Sequence, residues 1–254
     1  MLQVKTADSF NNIIKTVGNK FPYSIEIRGS RKIICANGKS LALFRPNGTN
    51  PDIKSKQARN LLKVVRASIT RYIKKVNYDV PVVESKCSPT YSNKYLWSTL
   101  NINDEFYIID AMHCYWRIAY LNKYIGKGLY EKYADNKELK IARNISLSIL
   151  VSNIKREYYN NGNKINTIDC DTSLYRRIYD NIRYSSYNLC GTIKDAIIDD
   201  CLSYRTDAIF TLPAGVDTVK NIFQENNIFF RVDKCIKLHE KYYSTSDGEI
   251  KKFI

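Results

Sequence analysis

Histidine and closely spaced cysteine are scarce in this 254-residue sequence. It has only two histidines, His113 and His239, and none of its seven cysteines belongs to a Cys-x-x-Cys pair. Zinc sites are built from Cys and His at short, regular spacings, so we expect no zinc site and cysteines that stay reduced. The wide separation of the two histidines also excludes a nickase of the His-hydrophobic-His class.

Long apolar runs are missing as well. No stretch approaches the roughly 18 consecutive apolar residues that a membrane-spanning helix needs. Residues 1–15 lack the basic flank and the apolar stretch of a secretory signal peptide. The sequence therefore predicts an intracellular protein that has no membrane partner.

Acidic residues are few in comparison with basic ones. The chain has 25 Asp and Glu against 40 Lys and Arg, which gives a net charge of +15. Such an excess attracts polyanions but says little about the fold. Nucleic acid is the leading partner on this ground, and a basic surface that serves only solubility is the alternative.

Residues 1–85 predict a small α+β region with a basic surface. A short helix is predicted at about residues 7–18, and Asn37-Gly38 between two apolar runs predicts a β-hairpin. Residues 54–75 have apolar residues at helical spacing together with eight Lys or Arg and no acid. This helix is predicted to bind nucleic-acid phosphates, unless its basic face is simply solvated. The predicted phosphate-binding residues are Lys56, Arg59, Lys63 and Arg66.

A turn-rich stretch near residue 85 predicts a domain boundary, which leaves residues 86–254 as the second domain. In this domain an apolar strand is predicted to end at Asp110, and a long helix at about residues 136–158. Two later strands are predicted to flank a turn at residues 205–207, and the tail is predicted to form strands. We therefore expect an α+β protein with an antiparallel sheet backed by helices.

Three short motifs of the second domain occur in the order found in family B DNA polymerases. Residues 110–115, DAMHCY, resemble the first motif of that family, Asp-x-x-Ser-Leu-Tyr, in the Asp and the Tyr. Residues 140–144, KIARN, resemble the Lys-x-x-x-Asn part of the second motif. Residues 204–207, YRTD, resemble Tyr-x-Asp-Thr-Asp-Ser and keep its second Asp, and residues 251–253, KKF, resemble a later Lys-Lys-x-Tyr element.

The resemblance implies a palm-like domain with reduced fingers and no clear thumb. The implied function is that of a metal-dependent nucleotidyltransferase, a minimal DNA-directed DNA polymerase in phage or mobile-element DNA replication, which would act in the cytoplasm of a bacterial host. Two Mg²⁺ or Mn²⁺ ions would stabilise the attacking and leaving oxygens. Asp110 and Asp207 are the implied catalytic metal ligands, and Lys140 is the implied catalytic cation.

The resemblance also implies the partners and the substrate-binding residues. A DNA primer-template, a deoxynucleoside triphosphate and replication proteins are the expected partners. The implied nucleotide-binding residues are Tyr115, Arg143 and Asn144. The implied nucleic-acid contacts in the tail are Lys251 and Lys252.

Arg205 departs from the family pattern, which has a carboxylate at this position. Because residues i and i+2 share a strand face, Arg205 is expected to point toward the site that Asp207 serves. A positive charge there opposes metal binding. Three arrangements of the Arg205 side chain stay open: it turns away from the site, it binds a phosphate, or it pairs with Asp207. The alternative function is a catalytically inactive polymerase-like module that binds nucleic acid or a replisome partner.

Two other enzyme classes fit the residues less well. A primase of the archaeo-eukaryotic type needs Asp-x-Asp at the first strand, but residue 112 is methionine. A nuclease would draw on the pairs Asp169/Asp171 or Asp199/Asp200, which we interpret as polar turn residues.

Overall fold

The computed structural model describes residues 2–4, 6–28, 31–44, 56–148, 150, 154–170 and 172–253. Within them the strands are β1 (Leu2–Val4), β2 (Tyr23–Arg28), β3 (Arg31–Ala36), β4 (Lys39–Phe44), β5 (Thr90–Ser92), β6 (Glu105–Ala111), β7 (Ile154–Asn160), β8 (Asn163–Cys170), β9 (Cys201–Arg205), β10 (Ala208–Thr211), β11 (Phe230–His239), β12 (Tyr242–Ser244) and β13 (Ile250–Lys252). The helices are α1 (Ala7–Gly18), α2 (Lys56–Lys75), α3 (Lys94–Thr99), α4 (Cys114–Leu121), α5 (Lys127–Ala134), α6 (Lys140–Ser148), α7 (Ser173–Ala196) and α8 (Val216–Glu225). This content confirms the α+β class.

The chain forms two compact units. The first contains residues 1–80 and 135–179, and the second contains residues 81–134 and 180–254. The chain first passes from one unit to the other after residue 80, close to the boundary expected near residue 85. Residues 135–179 belong with the N-terminal unit, whereas the sequence grouped them with the second domain. The motif at residues 140–144 is therefore in a different unit from the two aspartate motifs.

The first unit is built on a six-stranded sheet with the order β1-β4-β3-β2-β7-β8. The predicted Asn37-Gly38 hairpin is confirmed, and both residues adopt the left-handed conformation that such a turn requires, with φ of 50° and 71°. Helix α1, also confirmed, places Phe10 against Ile25 and Ile34 in a buried apolar cluster. This cluster covers one face of the sheet.

The long helix predicted at residues 136–158 is wrong. Helix α6 ends at Ser148, and the chain then forms the hairpin of β7 and β8. A second Asn-Gly turn closes this hairpin, with φ of 48° at Asn161 and 77° at Gly162. Tyr159 is opposite Tyr23 of β2, and the two rings stack at 4.9 Å. Aromatic cross-strand packing and turn chemistry therefore outweigh the helical periodicity.

Helix α2 confirms the helix predicted in the basic segment. It buries a stripe of apolar side chains at helical spacing, and this stripe consists of Ala58, Leu61, Val65, Ile69 and Ile73. Lys63 is exposed on the opposite side. No helix in the described ranges has the length and apolar character needed to cross a membrane.

The second unit is built on a seven-stranded sheet with the order β13-β12-β11-β6-β10-β9-β5. Its central strands are antiparallel, and their order along the chain is β6, β9, β10 and β11. Helices α4, α5 and part of α7 connect β6 to β9, and α8 connects β10 to β11. This is β-α-β-β-α-β connectivity, in which the first and third strands pair at the centre. The strands predicted around residues 205–207 and in the tail are confirmed.

Alternation along β6 gives the sheet of the second unit two different faces. Phe106 and Ile108 point into an aromatic cluster that includes Phe210 and Tyr243. Ile109 points to the other face and is fully buried. Asp110 therefore belongs to the face that carries the aromatic cluster.

Gly191 of α7 provides a test of the packing in the second unit. A Cβ at this position would overlap Sγ of Cys87 and lie 2.9 Å from its Cβ. We expect Gly191→Ala to lower the free energy of unfolding by about 1–3 kcal/mol, the usual range for overpacking. Urea denaturation monitored by circular dichroism measures this change.

Gly128 is the matched control because a Cβ there meets no atom within 4 Å. Gly128→Ala in α5 should be neutral or stabilise the protein by about 0.5–1 kcal/mol. Replacing Cys87 by Gly as well should recover much of the stability lost in Gly191→Ala. Equal stability of the two single variants would contradict the close approach of α7 to Cys87.

Candidate functional site

Asp110 and Asp207 lie on adjacent segments of the second unit. Asp110 is the penultimate residue of β6, and its Cα is opposite that of Ala208, the first residue of β10. Asp207 is in the turn immediately before β10, and its carbonyl accepts a hydrogen bond of 2.9 Å from the Ala111 amide. The pairing of β6 with β10 thus brings the two aspartates to the same end of the sheet.

The turn that carries Asp207 is held by several hydrogen bonds. Thr206 adopts a left-handed conformation with φ of 51°. Its amide donates to the Pro89 carbonyl at 2.9 Å, and its carbonyl accepts from Ser186 Oγ at 2.8 Å. The Asp207 amide donates to the Arg205 carbonyl at 2.5 Å. A non-glycine residue is held in this conformation because its neighbours fix both sides of the turn.

Arg205 and Asp207 do not share a strand face, contrary to the expectation from their i, i+2 spacing. Strand β9 ends at Arg205, and the left-handed Thr206 follows it. Strand alternation therefore stops before Asp207 is reached. Arg205 is opposite Ala208 in the ladder, so it shares a face with Ala208 and with Asp110 beyond it.

The Arg205 side chain lies against the aromatic cluster. Its guanidinium carbon is 5.2 Å from the centroid of the Phe210 ring. The Nε and Nη2 atoms are shielded from solvent and have no hydrogen-bond partner within the described part of the chain. Burial lowers the pKa of the guanidinium, and Tyr243 partly offsets this. Arg205 therefore has two donors that the described residues leave unsatisfied.

An arginine that the sequence did not single out binds Asp110. Arg231 of β11 is opposite Asp110 in the ladder, and its Nε donates to Asp110 Oδ2 at 3.0 Å. Arg231 also lies 3.8 Å from Asp233 and is 64% exposed, so water and salt screen this ion pair. Asp110 and Arg231 are 121 positions apart in the sequence, so no local sequence signal exists for the contact.

Four opposed residues form a row across the sheet of the second unit. In strand order from β11 to β9 they are Arg231, Asp110, Ala208 and Arg205. One carboxylate is therefore flanked by an arginine on the neighbouring strand and by a second arginine two strands away. The row has a net positive charge, which favours an anion.

The helix side of this end of the sheet contains Cys114 and Tyr115 at the start of α4. The carboxylates of Asp207 and Asp110 both raise the pKa of Cys114, although burial is the larger cause. Burial also raises the pKa of Tyr115, followed by its hydrogen bond to Tyr187 and the charge of Asp207. Tyr115 is therefore close to Asp207, and its role in sugar binding stays a prediction.

The second motif lies on α6 in the first unit. Lys140 and Asn144 are exposed. Arg143 is 1% exposed, and its Nη1 donates to the Asn136 carbonyl at 2.6 Å just before α6. This position supports a structural role for Arg143 instead of the expected contact with a nucleotide. The approach of Lys140 to the two carboxylates stays a prediction.

The basic residues predicted in α2 are described only in part. The side chains of Lys56 and Arg59 lie outside the described residues. Lys63 is exposed, and the Arg66 guanidinium lies 5.2 Å from the centroid of the Tyr175 ring. Phosphate binding by this helix stays a prediction.

The two lysines predicted in the tail differ in their surroundings. Both belong to β13 and are exposed. Lys251 Nζ forms an ion pair of 2.8 Å with Glu249. Lys252 lines a cleft beside α3. Of these two lysines, Lys251 alone forms an ion pair with a described acidic residue.

The binding of two divalent ions at the end of the sheet stays a prediction. No cluster of three or more His, Cys, Asp or Glu side chains suited to a metal occurs among the residues that the structure describes. Two-metal sites depend on carboxylates that are available to both ions. Here Arg231 binds Asp110, and an arginine stands at position 205 where the motif that residues 204–207 resemble has a carboxylate. Of the nuclease pairs, Asp199 and Asp200 lie in the turn between α7 and β9.

Comparison with protein-family models, with curated proteins and with solved structures gave no match.

The buried Cys114 thiol provides a test of the helix side of the site. Burial and the nearby carboxylates raise the pKa of Cys114 to about 12. We expect iodoacetamide to modify the partly exposed Cys87 in the native protein at about pH 8, but Cys114 only after unfolding. Mass spectrometry of the labelled peptides measures both sites. Equal rates at the two cysteines would contradict the buried position.

The same thiol predicts a dependence of stability on pH. The pKa of Cys114 is higher in the folded state than in the unfolded one, so its contribution to stability is complete below the unfolded value. That contribution is lost as the pH rises from about 8.5, the ordinary value for Cys, toward the folded value. Replacing Cys114 by Ala should reduce the fall in the urea midpoint above this pH. An unchanged pH dependence would contradict the assignment.

Proposed function

We propose that this protein is a nucleic-acid-binding module built on a polymerase palm-like sheet, in which arginines flank the first carboxylate. The observation that carries the proposal is the pair of unsatisfied donors on Arg205. Buried polar groups in proteins nearly always have a hydrogen-bond partner, so a buried pair without one requires an explanation. An anionic ligand that approaches this face of the sheet supplies the missing acceptors.

The chemistry of Arg205 favours a phosphate as that anion. Nε and Nη2 lie on the same edge of the guanidinium, so they donate in parallel to two oxygens of one group. This planar, bidentate geometry matches phosphate. Because both atoms are shielded in the free protein, binding requires the side chain to move away from Phe210. The unsatisfied donors lower the free energy needed for that movement.

The topology of the second unit supports a palm-like origin for the module. Asp110 is the penultimate residue of the first strand of the β-α-β-β-α-β unit, and the next two strands form the hairpin whose turn contains Asp207. The residues of the first and third polymerase-like motifs thus lie side by side at the centre of an antiparallel sheet.

The charge of the chain supports nucleic acid as the source of the phosphate. The net charge of +15 attracts polyanions, and the described part of α2 adds Lys63 and Arg66 to the basic surface. Lysine and arginine contacts to phosphates position a protein on nucleic acid without reading the bases. We therefore propose binding that is sensitive to salt and largely independent of sequence.

Arg205→Met separates a ligand-binding role from a structural one. Removing two unsatisfied donors should raise the free energy of unfolding by about 1–3 kcal/mol, the cost of leaving such groups unpaired. The same change should weaken nucleic-acid binding by about tenfold, because a charge-assisted hydrogen-bond pair is lost. Urea denaturation and fluorescence anisotropy with labelled oligonucleotides measure the two effects.

Lys127→Met is the matched control for the loss of one positive charge. Lys127 is 74% exposed and lies in the same unit, where its nearest acid is Glu131 at 3.7 Å. This substitution should have little effect on the free energy of unfolding or on the affinity for nucleic acid. A loss of stability in Arg205→Met, or an unchanged affinity, would overturn the proposed role of Arg205.

A second candidate function is the metal-dependent nucleotidyltransferase that the motifs imply. The observation that favours it is the register of β6 and β10, which brings Asp110 and Asp207 to the same end of the sheet. Arg231 is exposed, so its ion pair with Asp110 is weak enough to open in the presence of a competing ligand.

Metal titration and primer extension distinguish the two functions. For the binding module, Mg²⁺ or Mn²⁺ should leave the melting temperature of the wild-type protein unchanged, because a ligand stabilises only a state that binds it. The double variant Arg205→Asp, Arg231→Ala restores a carboxylate and frees Asp110, so it should gain metal-dependent stabilisation. Wild-type primer extension that Asp207→Asn abolishes without loss of DNA binding would establish the enzyme and reject the module.

A further inference from the structure

A cleft of about 560 Å³ lies in the second unit, between α3, the turn from β11 to β12, and β13. This volume is within the range of about 300–1,000 Å³ that small-molecule sites occupy. The lining residues that matter here are Lys94, Trp97, Lys237, Lys241, Lys252 and Phe253. The cleft thus combines aromatic side chains with four lysines.

The aromatic part of the cleft is rigid. The rings of Trp97 and Phe253 are stacked, with their centroids 3.8 Å apart and an interplanar angle of 8°. The indole Nε1 donates to the Glu240 carbonyl at 2.6 Å. Only 5% of the Trp97 surface and 3% of the Phe253 surface are exposed, so the wall of the cleft contains only the ring edges of this stacked pair.

A buried lysine forms part of the wall. Lys237 is 5% exposed, and its Nζ donates to the Trp97 carbonyl at 2.9 Å and to the Leu100 carbonyl at 2.5 Å. Its ammonium also lies 5.1 Å from the centroid of the Trp97 ring. Carbonyls alone do not neutralise this charge, so it adds a fixed positive field to the cleft.

Three further lysines surround the opening. Lys94, Lys241 and Lys252 are exposed, and no ion pair links any of them to an acid in the described part of the chain. Glu240 is the single carboxylate among the lining residues. Four lysines against one glutamate give the cleft a local net charge of about +3, which only an anionic ligand complements.

We propose that this cleft binds a nucleoside polyphosphate. The phosphates contact Lys94, Lys241 and Lys252 at the opening, and the base packs against the edges of Trp97 and Phe253. A polyphosphate chain supplies the three or four negative charges that the cleft lacks, and a planar base matches its apolar part. This site goes beyond the proposed nucleic-acid binding and does not depend on Arg205.

The chain contains only two tryptophans, which gives a direct readout. Trp116→Phe leaves Trp97 as the sole indole and keeps an aromatic ring at the buried position 116. ATP should alter the Trp97 fluorescence in a saturable manner. Tripolyphosphate should compete with ATP, whereas adenosine should bind at least about tenfold more weakly, because the lysines contribute through charge.

The triple variant Lys94→Ala, Lys241→Ala, Lys252→Ala should lose at least about tenfold in ATP affinity. The matched control, Lys15→Ala, Lys20→Ala, Lys39→Ala, removes the same charge from exposed positions of the first unit and should stay within about twofold of the parent. Arg205→Met should leave ATP binding unchanged, so a failure of this site and a failure of the proposed function are distinguishable.

Three outcomes would overturn the proposal. They are the absence of saturable ATP binding in equilibrium dialysis, an equal loss of affinity in the control triple variant, and saturation of the Trp97 signal by single-stranded oligonucleotide but not by ATP. The last result would assign the cleft to a nucleic-acid strand.

Discussion

The antiparallel pairing of β6 with β10 is the constraint on which the candidate site depends. Ile109 and Ile209 are opposite each other in this ladder, and both are fully buried. Their burial fixes the register, since a shift by one residue would turn them toward the opposite face of the sheet. That register places Asp110 beside the turn of Asp207. The position of the charged residues is therefore a consequence of how the apolar ones pack.

The features that the sequence predicted correctly are those that local chemistry determines. The Asn37-Gly38 hairpin follows from a turn dipeptide, and α2 follows from apolar residues repeated at helical spacing. The strands around Thr206 follow from two short apolar runs separated by polar residues. Each of these signals lies within about 20 residues of chain, where pattern and propensity are informative.

The features that were missed depend on contacts between distant residues. The ion pair of Arg231 with Asp110 requires β11 to lie beside β6, and no local pattern specifies that register. The burial of Arg143 depends on how α6 packs in its unit, although its sequence is that of an exposed basic residue. Residues 154–158 belong to the predicted helix, but the pairing of β7 with β2 fixes them as part of a strand. Tertiary packing decided these cases.

The interrupted order of the two units also constrains how the chain matures during synthesis. Strand β2 pairs with β7, and Arg156 and Glu26, which form an ion pair across these strands, are 130 residues apart. The edge of β2 that pairs with β7 therefore stays unpaired until the ribosome has added the residues of β7. Strand β6 likewise precedes β10 and β11 by about one hundred residues. Neither sheet is complete early, so the nascent chain exposes unpaired strand edges for much of its synthesis.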